Sequence, residues 1–492
     1  MITPAAAKTS ALSCQPESAT LNRTLPIVLA VALFMENMDS TVISTALPAI
    51  AEDIGTSPVA LKLALTAYLV SLAIFIPISG WMADRYGAKP VFRIAIAVFM
   101  AGSIACAVSD SLAAFVGSRF LQGMGGAMMS PVARLVLVRA TPRNQLVSAM
   151  AWLTIPALVG PMVGPPVGGF ITTYVSWHWI FIINVPIGLV GILVSGIVLP
   201  KIETRETRPM DWPGFLLAAV AASGLVFGLS VISLPALPPI VGIVTTLVGI
   251  AAGFAYVRHA RRAPHPILDI SLFRGTAFRT SIFGGALFRI GTGAVPFLLP
   301  LMFQLVFGMS PFQSGMLTFV SAIGAFTMKF LATTTLRAAG FRTVTVATAI
   351  GGGLMIGANA LFTVDTPYAV IVATLLASGF LRSLFFTSTN AMVFAEIADS
   401  EASQATAIAA ACQQISVALG VACAGGLLEI VGALSGNGLD HFAFVVAFLV
   451  ASATAVLSAA LFFTLPADVG QSMSGHSGRG RRGGDGPAEM QE

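Results

Sequence analysis

The sequence predicts an all-α integral membrane protein with 14 spanning helices, and three observations support this fold class. Of its 492 residues, 56% are hydrophobic and only 10% are charged, and the mean hydropathy is +0.89. About a quarter of the residues are charged in ordinary soluble domains, so this chain could not cover its surface in water. Its apolar runs reach about 20 residues without alternating in polarity, which predicts spanning helices rather than barrel strands.

Apolar segments follow one another along nearly the whole chain. The first six are 26–48, 59–80, 91–109, 112–137, 145–172 and 178–199. The seventh and eighth, 211–232 and 238–257, are the least marked and lie between two sets of six. The last six are 277–305, 311–336, 343–362, 367–394, 402–430 and 442–465. We therefore divide the chain into a first six-helix bundle (26–200), linkers with two accessory helices (201–276) and a second six-helix bundle (277–465).

The connections between these segments differ in charge. The even-numbered connections hold the basic residues Arg85, Lys89, Arg93, Arg139, Arg143, Lys201, Arg205, Arg208, Arg258, Arg261, Arg262, Arg274, Arg279, Arg337 and Arg342. The odd-numbered ones hold Glu52, Asp53, Asp110, Asp365 and Asp440, with Lys62 as the exception. Cytoplasmic loops carry the excess of Lys and Arg. The pattern predicts an inner-membrane protein with both termini in the cytoplasm, including an N-terminal segment (1–25) and a disordered Gly- and Arg-rich tail (466–492).

A weak internal repeat supports two related bundles. GWMADRYGAK follows the second segment at residues 80–89, and TTLRAAGFR follows the tenth at residues 334–342. Both stretches end in Gly-x-Lys or Gly-x-Arg, but Arg337 stands in place of Asp84. Two repeated halves around a midplane site are the usual architecture of transporters.

Five motifs resemble those of the major facilitator superfamily, and within it the 14-helix drug:proton antiporters of the EmrB/QacA type. They are residues 38–48 (MDSTVISTALP), 80–89, 119–126 (RFLQGMGG), 160–169 (GPMVGPPVGG) and 177–188 (WHWIFIINVPIG). Each stands at the helix where the family has its counterpart. The resemblance implies the major facilitator fold, two six-helix bundles plus two accessory helices, and proton-coupled export.

Charges within apolar segments are the main candidates for function, because each costs a few kcal/mol or more at mid-membrane. Glu36 and Asp39 are three residues apart and share one helix face. One of two such neighbouring carboxylates is expected to keep a proton, as proton coupling needs. The resemblance assigns the coupling role to Asp39. Arg119, which keeps its charge at any working pH, is expected either to tune these acids or to clamp two helices together.

The second half holds Arg289 and Arg382 within apolar segments. We expect them, with Gln122 of the first half, to face the central cavity. Two interpretations stay open for the arginines, namely binding an anionic group of the cargo or pairing with Glu36 and Asp39.

Two further motifs are interpreted mechanically. The loop motif after the second segment is expected to form a latch that holds one conformation, although its basic residues also fit a simple cytoplasmic anchor. Its residues are Gly80, Asp84, Arg85, Gly87 and Lys89. The glycine and proline motif of the fifth segment is expected to give either a bending point or close helix packing. Its residues are Gly160, Pro161, Gly164, Pro165, Gly168 and Gly169.

These expectations combine into a transporter and not an enzyme. The sequence has no phosphate-binding Gly-Lys-Ser/Thr loop, no nucleophile triad and no metal-type spacing, so we expect no cofactor and a proton gradient as the energy source. The predicted function is proton-coupled efflux of amphipathic drugs, hence antibiotic resistance, by alternating access. The alternative is export of one endogenous metabolite or organic anion, for example a metal–carboxylate chelate. The predicted partners are a small molecule, protons and the bilayer, not nucleic acid; a periplasmic adaptor and an outer-membrane channel stay open.

Overall fold

The computed structural model describes residues 23–142, 145–200, 204, 209–234, 237–398, 401–436, 438–466 and 469. All regular structure in these ranges is helical, which confirms the predicted class. The first bundle comprises α1 (Thr24–Val42), α2 (Leu47–Ile54), α3 (Lys62–Tyr86), α4 (Ala88–Ala107), α5 (Leu112–Ala140), α6 (Leu146–Tyr174), α7 (Trp179–Ile182) and α8 (Asn184–Val198). The accessory helices are α9 (Trp212–Ile232) and α10 (Pro239–Ala260), and the second bundle comprises α11 (Thr276–Leu301), α12 (Pro311–Ala358), α13 (Tyr368–Met392), α14 (Ala402–Ser435) and α15 (His441–Phe463).

Helix α12 contains two of the predicted spans. Within the described residues, 13 helices are long and apolar enough to cross a membrane, and one of them runs through Pro311–Leu361. Its 51 residues would measure about 75 Å as one straight helix, whereas a bilayer core needs about 30 Å. The chain turns at Gly340, where φ is 72° and ψ is 163°. Two spans therefore meet at Gly340, and the total is 14.

The turn at Gly340 has a counterpart in the first bundle. Gly87, between α3 and α4, has φ 91° and ψ 137°. A side chain rarely tolerates positive φ with extended ψ, so both turns favour glycine. These are the two glycines of the repeated Gly-x-Lys/Arg pattern, and they turn the chain between the second and third helices of each bundle.

The two bundles meet through a symmetric pair of contacts. The second helix of the first bundle, α3, packs on α14, the fifth helix of the second bundle. Conversely, α6, the fifth helix of the first bundle, packs on α12, whose part before Gly340 is the second helix of the second bundle. Accessory helix α9 packs beside this seam on both α3 and α14. The arrangement leaves α1, α6, α11, α12 and α13 around a common space at the centre.

Alternate ends of the helices carry the two kinds of loop. The acidic-loop end is the end with the connections that hold Asp53, Asp110, Asp365 and Asp440, and the opposite end is the basic-loop end. Some helix starts at the acidic-loop end are capped by a side chain: Ser111 accepts from the Ala114 N–H at 3.4 Å, and Asp440 accepts from that of Ala443 at 3.0 Å. Such caps satisfy N–H groups that the helix itself leaves unpaired.

Some predictions concern residues outside the described ranges. They are the conformations of residues 1–22 and 470–492, and the placement of the loop cations Arg143, Lys201, Arg205 and Arg208.

Candidate functional site

A buried polar network surrounds Asp39 in the middle of α1. Arg119 of α5 donates to Asp39 Oδ2 at 2.7 Å. Gln122, one turn further along α5, donates to Asp39 Oδ1 at 2.8 Å, and Asn184 at the start of α8 donates to the same oxygen at 2.9 Å. All four side chains are completely buried. These donors take the place of the water that a carboxyl group loses on burial.

The network extends to α4 and continues between its members. Ser103 of α4 lies 2.8 Å from Gln122 Nε2 and 3.3 Å from Asn184 Nδ2, and its hydroxyl accepts from both. Arg119 also donates to Oε1 of the Gln122 side chain. The side chain of Asp39 thus joins α1, α4, α5 and α8. Of the predicted residues, the structure brings Asp39, Arg119 and Gln122 together, and it adds Ser103 and Asn184.

Aromatic rings cover the arginine of this network. The Arg119 guanidinium carbon lies 4.3 Å from the centre of the Tyr68 ring and 5.8 Å from that of Phe181. A cation over an aromatic face is attracted by the ring quadrupole. Arg119 Nε has no hydrogen-bond partner within the described residues. The guanidinium therefore depends on Asp39 and Gln122 for most of its polar contacts.

Glu36 lies one turn before Asp39 but outside its hydrogen-bond network. Its Oε2 is buried without a hydrogen-bond partner among the described residues, and the same holds for the Tyr68 hydroxyl. A Cβ placed on Gly126 would lie 3.5 Å from Glu36 Cγ and 3.3 Å from the Tyr68 hydroxyl, so these groups border the same small space. A buried carboxyl oxygen without a partner is costly when ionised. Glu36 therefore borders the Asp39 network without belonging to it.

A cavity of about 250 Å³ lies between the two bundles. It is bounded by α1 and the turn after it, α6, α11, α12 and α13, and its surface is mainly apolar. Hydroxyl groups of Thr41, Ser44, Thr318, Ser321 and Ser383 are its neutral polar groups. Its two charged side chains are Lys329 and Arg382, and no carboxylate is among the lining residues that the structure describes.

The structure separates the two arginines that the sequence analysis grouped. Arg382 lines the cavity, as expected, whereas Arg289 is not among the lining residues. The Arg289 guanidinium donates to Asn390 Oδ1 at 2.9 Å and lies 5.1 Å from the centre of the Phe386 ring. Gln122 also lies outside the cavity, in the Asp39 network. Of the two interpretations left open for these arginines, pairing with Glu36 or Asp39 is not found among the described residues, because Asp39 pairs with Arg119 and Arg289 bonds Asn390.

The glycine and proline motif of α6 forms two different contacts. Gly160, Gly164 and Gly168, spaced by four residues, face α1: added Cβ atoms would contact the Phe34 carbonyl, Thr41 Oγ1 and the Val42 carbonyl, respectively. Gly169 instead faces the second bundle at Pro311. Pro161 and Pro165 line the cavity. Helix α6 stays continuous through its prolines, so the contacts here are those of close packing.

The loop motif between α3 and α4 connects helices within the first bundle. Asp84 accepts from Arg139 Nη2, at the end of α5, at 2.6 Å. Lys89 donates to the carbonyl of Leu199 at 2.8 Å. Asp84 therefore accepts from a guanidinium, and Lys89 bonds a backbone carbonyl. Arg85 is exposed, and a Cβ on Gly80 would meet open space.

A second buried ion pair joins the bundles at the acidic-loop end. Lys62, the first residue of α3, is completely buried and forms an ion pair with Glu429 of α14. It also donates to Ser233 Oγ, at the end of α9, at 2.8 Å. This pair explains why a lysine occurs in an otherwise acidic set of connections. Sequence reasoning missed its partner, although Glu429 lies within an apolar segment and the rule applied to Asp39 would have selected it.

Other contacts close the same end of the molecule. Gln304 donates to the Thr45 carbonyl at 3.0 Å, and the Phe312 N–H donates to Thr173 Oγ1 at 3.1 Å. A Cβ on Gly315 would contact the Pro165 carbonyl. Each of these contacts joins the first bundle to the second. The structure is therefore a conformation in which the bundles are locked at the acidic-loop end.

Comparisons with known proteins cover almost the whole chain. The family model described as Major Facilitator Superfamily matches residues 29–257 and 281–481. A relative from Salmonella heidelberg (strain SL476), named "Putative multidrug resistance protein MdtD", is 35% identical over 455 residues, which are 91% of this chain and 95% of that protein. The protein of the same name from Salmonella typhi is 34% identical over the same shares.

Solved structures agree in fold. The crystal structure of a D-xylose-proton symporter superposes with a TM-score of 0.65 at 15% identity and covers 90% of this chain and 98% of that one. A POT family transporter in complex with 5-aminolevulinic acid gives a TM-score of 0.66 at 14% identity, over 89% of this chain and 94% of that one. At such identities the likeness concerns the fold alone.

Proposed function

Because this chain belongs to the Major Facilitator Superfamily and is a multi-pass membrane transporter rather than an enzyme, we propose that it exports amphipathic small molecules in exchange for protons. The observation that carries the proposal is Asp39, a completely buried carboxylate bound to Arg119 and to two amides. Such a group is costly in the membrane unless it is used or fully paired. The name of the MdtD relatives supports drugs as cargo.

Protonation of Asp39 is the proposed coupling step. A neutral carboxyl no longer balances the charge of Arg119, which cannot release its own proton. The 2.7 Å contact between them then loses most of its attraction, and α1 can shift relative to α5. Because Thr41 of α1 and Ser44 of the turn after it line the cavity, a shift of this helix reaches the cargo. Glu36, beside this network, is proposed to relay the proton.

Alternating access follows from the contacts between the bundles. The seams of α3 with α14 and of α6 with α12 act as the two rocking surfaces. Opening the acidic-loop end requires the Lys62–Glu429 pair to separate and Gln304 to leave Thr45. A proton that enters from that side and leaves at the other drives one cargo molecule outward. Each charge contributes about 2.3 kcal/mol per 100 mV of membrane potential.

The orientation of the protein in the membrane is part of the same proposal. The basic loops favour the cytoplasm, which gives an inner-membrane protein with cytoplasmic termini. The acidic-loop end then faces the periplasm, and the contacts at that end close the periplasmic side.

Proteoliposomes with an imposed pH gradient and an enclosed pH-sensitive dye test this function. Ethidium, a permanent cation, and naphthalene-2-sulfonate, a permanent anion, serve as cargo probes because neither carries a proton across lipid by itself. We expect at least one probe to trigger proton movement in the wild type and none in Asp39→Asn. Asp365→Asn, which removes an exposed loop carboxylate, is the matched control and should behave as wild type. Equal proton movement in wild type and Asp39→Asn would refute the proposal.

A further inference from the structure

The cavity between the bundles holds two cations without a carboxylate to balance them. Lys329 of α12 and Arg382 of α13 are its charged lining residues, and no Asp or Glu side chain of the described chain lines it. Lys329 donates to Thr387 Oγ1 at 3.1 Å, a neutral partner. The Arg382 guanidinium has neither a hydrogen-bond nor an ion-pair partner among the described residues. Both charges are therefore unbalanced by the protein itself.

Lys329 is exposed and Arg382 is half-buried, whereas the fully buried charges of this chain have partners of their own. Arg119 is paired with Asp39, and Lys62 is paired with Glu429. Arg289, outside the cavity, has Asn390 and an aromatic face. A cation deep in a membrane protein is costly when unpaired, so an unpaired one facing a cavity indicates a ligand that supplies the opposite charge.

We infer that this cavity binds amphipathic organic anions, with Lys329 and Arg382 holding the anionic group. The rest of the lining fits the apolar body of such a molecule: Leu158, Met162, Leu299 and Phe326 surround it. The hydroxyls of Thr318 and Ser383, which donate to the carbonyls of Gly315 and Ala325, are polar groups of the same lining. Arg binds carboxylate and sulfonate-like groups through its fork of N–H donors, and Lys adds a point charge. This inference rests on the proposed function, because it names the cargo class of the same cavity.

The binding preference can be measured separately from proton coupling. Three naphthalene probes of nearly equal size are used: naphthalene-2-sulfonate (anion), naphthalene-2-sulfonamide (neutral) and 2-naphthylmethyl-trimethylammonium (cation). Equilibrium binding is measured on purified protein in phosphatidylcholine nanodiscs without a pH gradient. We expect the sulfonate to bind at least tenfold more tightly than the other two probes. Preference for the ammonium probe, or equal binding of all three, would overturn the inference.

Substitutions locate the preference. Arg382→Gln and Lys329→Gln should each weaken sulfonate binding about tenfold and leave sulfonamide binding unchanged. Arg382→Lys keeps the charge and should retain most of the preference, which guards against a loss caused by misfolding. Arg279→Gln removes an exposed cation at the start of α11, away from the cavity, and is the matched control. Wild-type sulfonate binding by folded Arg382→Gln and Lys329→Gln variants would overturn the assignment.

Two further arms separate the possible failures. An anionic lipid headgroup would meet the same cations, so binding is repeated with phosphatidylglycerol in the nanodisc; strong competition by this lipid would assign the site to lipid and overturn the cargo inference. Asp39→Asn is expected to keep the sulfonate preference at equilibrium while losing gradient-driven transport. Loss of coupling with the preference intact therefore bears on the proposed function alone, and loss of the preference bears on this inference alone.

Discussion

The pair of Asp39 and Arg119 allows the structural and the coupling roles of one contact to be separated. We consider Asp39→Asn, Arg119→Gln and the double variant. In the wild type the two side chains are completely buried and 2.7 Å apart, and Asp39 accepts from three donors. Asparagine has the shape of aspartate, but its NH₂ group would face at least one of the donors Arg119, Gln122 and Asn184. The arginine would also be left as a buried charge without a counterion.

The expected magnitudes follow from burial. Removing one partner of a buried ion pair costs about 3–5 kcal/mol, because the other charge is left uncompensated. The double variant removes both charges and keeps amides that can bond one another. It should lose only about 1–2 kcal/mol relative to the wild type, which is the difference between charged and neutral hydrogen bonds. The two single losses would otherwise sum to about 6 kcal/mol or more.

Stability and transport are then compared in the same four proteins. The free energy of unfolding is measured by SDS titration in mixed micelles, and transport is measured in proteoliposomes driven by a pH gradient. We expect the double variant to regain stability but not gradient-driven transport. A double variant that is as unstable as the summed singles would refute the charge argument. A double variant that transports like wild type would show that the pair is a helix clamp and does not couple protons.

Three further predictions concern the closure and packing of the bundles. Lys62→Met leaves Glu429 without its cation, so the acidic-loop end should open about tenfold more often, a change of about 1.4 kcal/mol. Spin-label distances between the α2–α3 and α14–α15 loops report this opening. An unchanged distance distribution would show that the Lys62–Glu429 pair does not hold this end closed. Gly164→Ala forces a Cβ against α1 and should cost about 1–3 kcal/mol in the SDS titration, whereas Gly80→Ala, which meets open space, should cost nothing measurable; equal losses would contradict the packing account. Gly340→Ala should cost about 1–3 kcal/mol through its positive φ, and a neutral result would argue against that turn.

The sequence predicted the fold because composition and loop charge constrain it strongly. Apolar runs of spanning length leave few alternatives in lipid, and the separation of acidic from basic connections fixed the number of helices. It did not predict where single helices are interrupted. The break before Asn184 depends on backbone geometry that hydropathy does not contain.

The sequence predicted the charged residues of the candidate site but not most of its neutral ones. Asp39 and Arg119 stood out because charges are rare in apolar segments, but Ser103, Asn184 and Tyr68 are ordinary residues there. Their convergence on Asp39 and Arg119 depends on how the five helices α1, α3, α4, α5 and α8 pack, which no single segment records. Lys329 is a different case, because it lies within the apolar segment 311–336 and the charge rule would have selected it. Arg289 shows the reverse error, since a charge within a span need not face the cavity.

Proton coupling through Asp39 is tested most directly by comparing gradient-driven transport with simple exchange in Asp39→Asn. Proteoliposomes are loaded with unlabelled naphthalene-2-sulfonate, and entry of the labelled probe is followed first with a pH gradient and then without one. We expect Asp39→Asn still to exchange labelled for unlabelled probe but no longer to accumulate it against a gradient. The rocking of the two bundles persists in this variant, whereas the protonation of residue 39 is lost. Gradient-driven accumulation at the wild-type rate in Asp39→Asn would contradict proton coupling through Asp39.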